Sequence, residues 1–385
     1  MTARFYLDHA ASSPLRPAAR AALTGALDLA GNPSSVHAEG RAARAVIEAA
    51  RRTLAAAIGG AAGGIVFTSG ATEANAAALG STGRVLASAV EHPSVLARPG
   101  VETVPVDGSG RLDLAALTAA LAVGDVACVA LMLANNETGV LQPVAETAAL
   151  AHRAGARLHV DAVQALGRVP LDITALGADS MSLSAHKLGG PKGVGALWLR
   201  DPDGFEPLLR GGQEHRRRAG TENVAGIAGF AAAAAAIAPE EAARLEQLRR
   251  TLEAEARRRV GDAVVIADRA PRLPHITALA LPGVAAATQV MALDLAGVAV
   301  SAGAACSSGK VATSHVLAAM GMAPALAAST IRVSLGWTTT ASDIDRFRRL
   351  GQPRRAPAPG HTLEAIRAAW PCPAADRDDI RSVDK

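Results

Sequence analysis

The sequence predicts an α/β fold, with a large domain on a mainly parallel, doubly covered sheet and a smaller α+β domain after it. Two observations predict this. Short β-rich runs alternate with helical stretches over roughly the first 260 residues. Those runs are apolar throughout rather than alternating, the pattern of strands covered on both faces. Residues 16–58 read as helical, broken at Gly31-Asn32-Pro33-Ser34-Ser35, where Gly and Pro interrupt a helix. The run Ile65-Val66-Phe67-Thr68 is a strand, and a helix opens at Ala71. Further strands are predicted at 84–87, 101–105, 126–133, 157–160, 180–183 and 195–199, with helices at 112–122 and 144–154 among those between them. Residues 223–260, Ala-rich and then charged, are helices leading out of the first domain. Strands at 263–267, 277–281, 298–300 and 331–334, with helices at 286–296 and 314–320, make the smaller unit. The expected domains are residues 15–260, then 1–14 with 261–350. A divergent tail, 351–385, opens on the breaker-rich Pro353-Arg354-Arg355-Ala356-Pro357-Ala358-Pro359-Gly360 and is expected to be loosely held.

Composition narrows the function classes. The chain has 385 residues, half of them hydrophobic but only 2% aromatic, so its core is Ala, Leu and Val. The net charge is +4, and its densest clusters are Arg216-Arg217-Arg218 and Arg257-Arg258-Arg259. Clusters this short are solvated faces, and no nucleic-acid partner is expected. The three cysteines, Cys128, Cys306 and Cys372, form no pattern of pairs, which fits a reducing compartment. The N-terminus lacks the apolar stretch of a signal peptide, and the longest uncharged runs, 223–239 and 273–293, do not read as membrane spans. The expectation is a cytoplasmic protein with no membrane partner.

The run from Ser182 to Gly193 carries the strongest chemical signal. It places Lys187 beside His186, after Ser182 and Ser184, before the turn Gly189-Gly190-Pro191-Lys192-Gly193. A lysine at a strand end beside phosphate-binding groups points to a covalent bond with the aldehyde of pyridoxal phosphate. Taken alone it is an exposed lysine on a turn, as most lysines are. That cofactor also needs an acid for its ring nitrogen, a ring-stacking partner and a phosphate cradle. Asp161 ends an apolar strand, where open α/β sheets bind ligands; a helix N-cap is the plain alternative. Gln164 is placed to reach the ring hydroxyl. Ser69-Gly70-Ala71-Thr72-Glu73 follows a strand and opens a helix, so free N–H groups and the Thr72 hydroxyl would suit a phosphate. His92 follows another strand and could lie on the ring, although a lone histidine is more often a surface residue. Asn135-Asn136-Glu137-Thr138-Gly139 forms a polar cluster that turns also use.

Two further residues stand out. Cys306 lies among small neighbours, Ser301-Ala302-Gly303-Ala304-Ala305-Cys306-Ser307-Ser308-Gly309, so its thiol is expected to be accessible. Cys128 reads as a buried strand residue and Cys372 as incidental. Arg332 is a charge in the apolar run Ile331-Arg332-Val333-Ser334 and needs a partner. A substrate carboxylate, held bidentately, and a structural salt bridge are equal candidates.

Taken together, these pieces resemble a cysteine desulfurase of the NifS and IscS type, in the fold-type I, class V aminotransferase group. The resemblance covers about residues 4 to 350. It also rests on Tyr6-Leu7-Asp8-His9-Ala10-Ala11-Ser12-Ser13-Pro14, Asn32-Pro33-Ser34-Ser35-Val36-His37, His159-Val160-Asp161-Ala162-Val163-Gln164, Gly211-Gly212-Gln213-Glu214, and Arg218-Ala219-Gly220-Thr221-Glu222-Asn223. It implies a pyridoxal phosphate enzyme that converts L-cysteine to L-alanine and leaves a persulfide on Cys306. That sulfur would supply iron–sulfur clusters or other thio-compounds.

The resemblance also assigns roles. Lys187 would hold the cofactor and move the proton. Asp161 would pair the ring nitrogen, Gln164 the ring hydroxyl, and His92 would stack on the ring. Ala71, Thr72, Ser184 and His186 would hold the phosphate, with Thr221 reaching it from the neighbouring subunit of a homodimer. Asn32, Asn136 and Arg332 would orient the substrate, Arg332 on its carboxylate. A sulfur-acceptor or iron–sulfur scaffold protein is the implied partner. No resident metal is implied, though Cys306 could contact a transient iron–sulfur cluster. Ser12 and Ser13 stand where threonines are usual, Arg210 stands where a glycine is common, and the tail does not match the family's C-terminal segment. Another class V enzyme, an aminotransferase or selenocysteine lyase, would keep Lys187 and Asp161 without needing Cys306. A catalytically inert sulfur-trafficking or scaffold subunit would be signalled by loss of Lys187 or Cys306, and both are present.

Overall fold

The computed structural model describes residues 4–80, 83–303 and 314–350; Cys306, Cys372 and the tail from 351 lie outside them. Seven strands form the large sheet, in the order Ile65–Thr68, Gly195–Leu199, Ser180–Ser184, Arg157–Asp161, Val126–Met132, Arg84–Ser88, Val101–Val104. The five from Ser180–Ser184 to Val101–Val104 are mutually parallel. Gly195–Leu199 runs antiparallel to both its neighbours. The chain between Ser184 and Gly195 explains the reversal. It holds only a short 3₁₀ turn, Ala185–Lys187, and a parallel return would need a crossover of a dozen or more residues. The sheet is therefore the mainly parallel one expected, and each predicted strand of the large sheet is present within a residue or two of its expected bounds.

Burial on both faces explains the unalternating strands. Ser180–Ser184 and Gly195–Leu199 are buried at every position. Leu131, Leu158, Met181 and Leu183 join Ile47, Leu54 and Phe230 in the main core. The helices Pro17–Leu27 and Ala38–Ala57 both pack on Val224–Ala235. With few aromatics available, Ala and Gly let these helices approach closely. A Cβ on Gly229 would stand 3.2 Å from the Ala19 carbonyl oxygen.

A four-stranded antiparallel sheet follows, ordered Ser301–Ala302, Thr330–Ser334, Ile276–Ala280, Val264–Val265. Phe5–Tyr6 pairs in parallel with Val298–Ala299. A second apolar core joins Leu7, Leu279, Val298, Ile331 and Val333 to Leu245 and Leu252 of the Glu241–Arg259 helix. Residue 260 thus closes a helix that packs into this second core. The strands Phe5–Tyr6 and Ser301–Ala302 and the turns Pro93–Leu96, Ile173–Leu176 and Pro324–Ala327 are too short for periodicity to reveal. The Ala341–Leu350 helix was not anticipated either.

Between the two cores lies a buried ion triad. The Arg16 guanidinium meets both oxygens of Glu241 at 2.7 Å, and Arg168 binds the same carboxylate. All three side chains are buried. Removing the shared anion leaves two adjacent buried cations. Glu241→Gln is expected to cost about 3 kcal/mol of unfolding free energy, measured by denaturant titration. A loss below about 1 kcal/mol would mean that solvent reaches the triad.

Candidate active site

The carboxyl ends of the parallel strands share one edge of the large sheet, where a topology of this kind places its ligands. The small sheet, through Arg332, and the N-terminal segment, through Ala10, Ala11 and Ser12, face that edge and enclose a cavity of about 1010 Å³. Lys187 enters it from the 3₁₀ turn that ends the Ser180–Ser184 strand. The turn closes through Gly189 at φ +92°, where a Cβ would also strike Arg16 Cγ at 2.7 Å. Lys187 Nζ donates to the carbonyls of Ala10 at 2.7 Å and Ala11 at 2.9 Å. Burial, then the Arg332 guanidinium, push its amine down to about 8, with Asp8 and Asp161 opposing.

Asp161, buried at the end of its strand, lines the same cavity. Its Oδ1 accepts from the Val163 N–H at 3.0 Å and its Oδ2 from Asn75 Nδ2 at 2.9 Å. Beneath it, His159 bonds Asn75 through Nε2 and Ser180 through Nδ1. Burial lowers the His159 imidazole to about 3, so it is neutral. Gln164 Nε2 donates to the Ala10 carbonyl at 3.0 Å. His92 caps the Pro93–Leu96 turn, its Nδ1 bonded to the Ser94 hydroxyl at 2.8 Å and accepting from the Ser94 N–H at 3.1 Å. Burial, followed by Lys187 and His315, lowers its basicity against the pull of Asp161.

The Ala71–Leu79 helix begins at the cavity, with Ala71 and Thr72 on its lining. First-turn N–H groups have no intrahelical acceptor and favour an anion. Ser184 and His186 lie on the same wall, His186 Nδ1 bonded to Ser12 Oγ at 3.3 Å. Burial, then Lys187 and Lys192, lower the His186 imidazole to about 4, which leaves it a neutral hydrogen-bonding group. Arg332 answers both expectations in part. It pairs with Asp8 at 2.9 Å and donates to the Asn136 carbonyl at 3.0 Å, while its Nε is buried without a partner. That spare donor at the cavity wall suits a carboxylate.

Two candidates are not brought in. Asn32 and Thr221 are exposed and do not line the cavity. Asn32 instead accepts from the Ser34 N–H at 2.9 Å. Conversely, the cavity includes residues the sequence reading gave no role: Asn75, His315, Asp8 through its pair with Arg332, and Glu137. Glu137 is buried, bonds the Ser314 hydroxyl, and has its basicity raised by that burial. His159 carried a usable signal, a polar residue in an apolar strand, the criterion that picked out Arg332.

These groups fit pyridoxal phosphate. An anion-binding helix end with hydroxyls and a neutral imidazole beside it matches the phosphate. A carboxylate held in place by the Asn75 amide and the Val163 N–H matches a ring nitrogen that needs an acceptor. A partly buried amine drawn down to about 8 matches the aldehyde. No cluster of metal-binding side chains occurs among the described residues, and none of their helices is long and apolar enough to cross a membrane.

Comparison with known proteins agrees with this geometry. The class-V aminotransferase family matches residues 5–347. The cysteine desulfurase of Cereibacter sphaeroides is 46% identical over 89% of this chain and 94% of its own length. The cysteine desulfurase IscS of Dictyoglomus turgidum is 40% identical over 90% of this chain and 93% of its own. The solved structure of a NifS-like protein from Rickettsia africae superposes with a TM-score of 0.84 at 33% identity, covering 90% of this chain and 98% of that one. The chain belongs to the class-V aminotransferase family, among its cysteine desulfurases of the NifS and IscS type.

Proposed function

We propose that this protein is a pyridoxal phosphate-dependent cysteine desulfurase that releases L-alanine from L-cysteine and passes the sulfur to Cys306. The observation that carries the reading is the partly buried Lys187 amine, bonded to the Ala10 and Ala11 carbonyls, in one cavity with Asp161 and Arg332. The bound cofactor supplies an electron sink for the bond changes at the amino acid. Asp161, fixed by Asn75 and the Val163 N–H, keeps the ring nitrogen protonated. Ala71, Thr72, Ser184 and His186 hold the phosphate, His92 covers the ring and Gln164 meets the ring hydroxyl. Arg332 takes the substrate carboxylate, with Asn136 beside it. Lys187 Nζ would take the Cα proton of the bound substrate.

The sulfur step is balanced with the Cys306 thiol as nucleophile. Its sulfur attacks the substrate sulfur, an S–S bond forms as the substrate C–S bond breaks with its electron pair passing to the substrate carbon, and the thiol's proton together with the Cα proton returned by Lys187 completes alanine, which leaves. Cys306 ends as a persulfide, which a sulfur-acceptor or iron–sulfur scaffold protein would receive. The reading includes a cytoplasmic homodimer, with the partner subunit's Thr221 at the phosphate end; Asn32, outside the cavity of this chain, takes no part in it. It takes residues 15–260 as the large domain and 1–14 with 261–350 as the small one.

Sulfide and alanine released from L-cysteine by the loaded protein, in the presence of a reductant, test the reading. Equal amounts are expected, with a drop of about 100-fold or more in Lys187→Ala, which removes the proton-transferring amine, and loss in Cys306→Ala. Alanine and sulfide release untouched by Cys306→Ala would move the assignment to another class V reaction. The Lys187 amine also sets a pH dependence. Only the neutral amine attacks an aldehyde, so the rate of cofactor capture by the apoprotein should rise with pH and level off above about 8. A rate still climbing at pH 10 would show an ordinary exposed lysine.

A further inference from the structure

Asn75 lies on the Ala71–Leu79 helix and is fully buried. Buried amides are tolerated where their polar atoms are bonded. Its Nδ2 donates to Asp161 Oδ2 at 2.9 Å and to Ser94 Oγ at 2.9 Å. Its Oδ1 receives His159 Nε2 at 2.9 Å. Both N–H bonds are spent, and the carbonyl oxygen is met by the imidazole.

The orientation of this amide follows from its neighbours. A carboxylate oxygen accepts, so the atom facing Asp161 is the amide nitrogen. The atom facing His159 is then the oxygen, and the imidazole must carry its proton on Nε2. Nδ1 of His159 is left to accept from the Ser180 hydroxyl at 2.8 Å. On the other arm Ser94 Oγ accepts from Asn75, and its own hydrogen is free to go to His92 Nδ1 at 2.8 Å. His92 Nδ1 also receives the Ser94 N–H, so the neutral His92 ring carries its proton on Nε2. One side chain therefore joins the carboxylate assigned to the ring nitrogen with the imidazole assigned to the ring face. Aspartate at this position would set an anion against Asp161, and an aliphatic residue would leave Asp161, Ser94 and His159 each short of a partner.

We propose that Asn75 is a positioning residue for the cofactor: it aims the Asp161 carboxylate at the ring nitrogen and, through Ser94, fixes the tautomer of His92. This rests on the pyridoxal phosphate reading of the cavity. It concerns binding and orientation, so it is readable without turnover.

The test compares two ligands on apoprotein: pyridoxal phosphate and its carbocyclic analogue, in which CH replaces the ring nitrogen. The analogue keeps the aldehyde and phosphate but has nothing to pair with Asp161. Wild type is expected to bind pyridoxal phosphate more tightly than the analogue. Asn75→Ala should weaken pyridoxal phosphate about 10-fold more than it weakens the analogue, a difference on the scale of one charge-assisted hydrogen bond, and should weaken the analogue no more than Ser94→Ala does. Ser94→Ala, which cuts only the His92 arm, should weaken both ligands alike. Apoprotein melting is recorded for each variant, and Asn75→Ser replaces Asn75→Ala if the latter does not fold. Equal weakening of both ligands by the Asn75 substitution, or none, overturns the proposal. Failure of wild type to bind pyridoxal phosphate overturns the cofactor reading itself.

Discussion

The site depends on the N-terminal segment from Asp8 to Arg16, which is bonded on both sides. Toward the large sheet, the Ala10 and Ala11 carbonyls receive Lys187 Nζ. The Ser13 N–H donates to the His186 carbonyl at 2.8 Å, and the Arg16 N–H to Gly189 at 2.8 Å. Arg16 Nε donates to the Leu188 carbonyl at 2.9 Å before its guanidinium reaches Glu241. Toward the small sheet, Asp8 pairs with Arg332, and the His9 and Ala10 N–H groups donate to the carbonyl and hydroxyl of Ser334. One stretch, which turns at residues 9–11, thus holds both the amine and the arginine that line the cavity. An error in its register would displace both.

Burial then sorts the charges. Three imidazoles in and beside the site are driven neutral: His159 to about 3, His186 to about 4, and His9 to about 3, the last helped by Arg168 and Arg16. Neutral rings accept and donate at defined nitrogens, so they orient neighbours without adding charge. Beside them stand a carboxylate bound by two donors and an arginine paired to one acid. The Lys187 amine sits between these states, lowered by burial and by Arg332 but held by two carbonyls until an aldehyde displaces them. This division explains how one cavity offers an anion end, a ring-nitrogen acid and a nucleophilic amine together.

Much of this was legible in the sequence, for physical reasons. Strands covered on both faces have to be apolar, so 126–133 and 180–183 announced themselves, and Asp161 stood out where its strand ran into polarity. Lys187 was legible because a glycine-rich turn followed it. The antiparallel sense of Gly195–Leu199 was not, since direction is set by the length of a connection and not by the strand's own pattern. Asn75 escaped because a single amide among alanines on a short helix looks like a surface residue. Only the fold shows that this face of the helix lies against the Arg157–Asp161 and Ser180–Ser184 strands. The Asp8–Arg332 pair spans most of the chain and has no local signal at all.

Lys192 also lines the cavity, so the account turns on which amine the strand end and the N-terminal segment present to the cofactor. The direct measurement is reduction of the pyridoxal phosphate-loaded protein with borohydride, followed by peptide mapping of the pyridoxyl label. Label on Lys187 alone is the expected result. Label on Lys192, or spread over several lysines, would contradict the account.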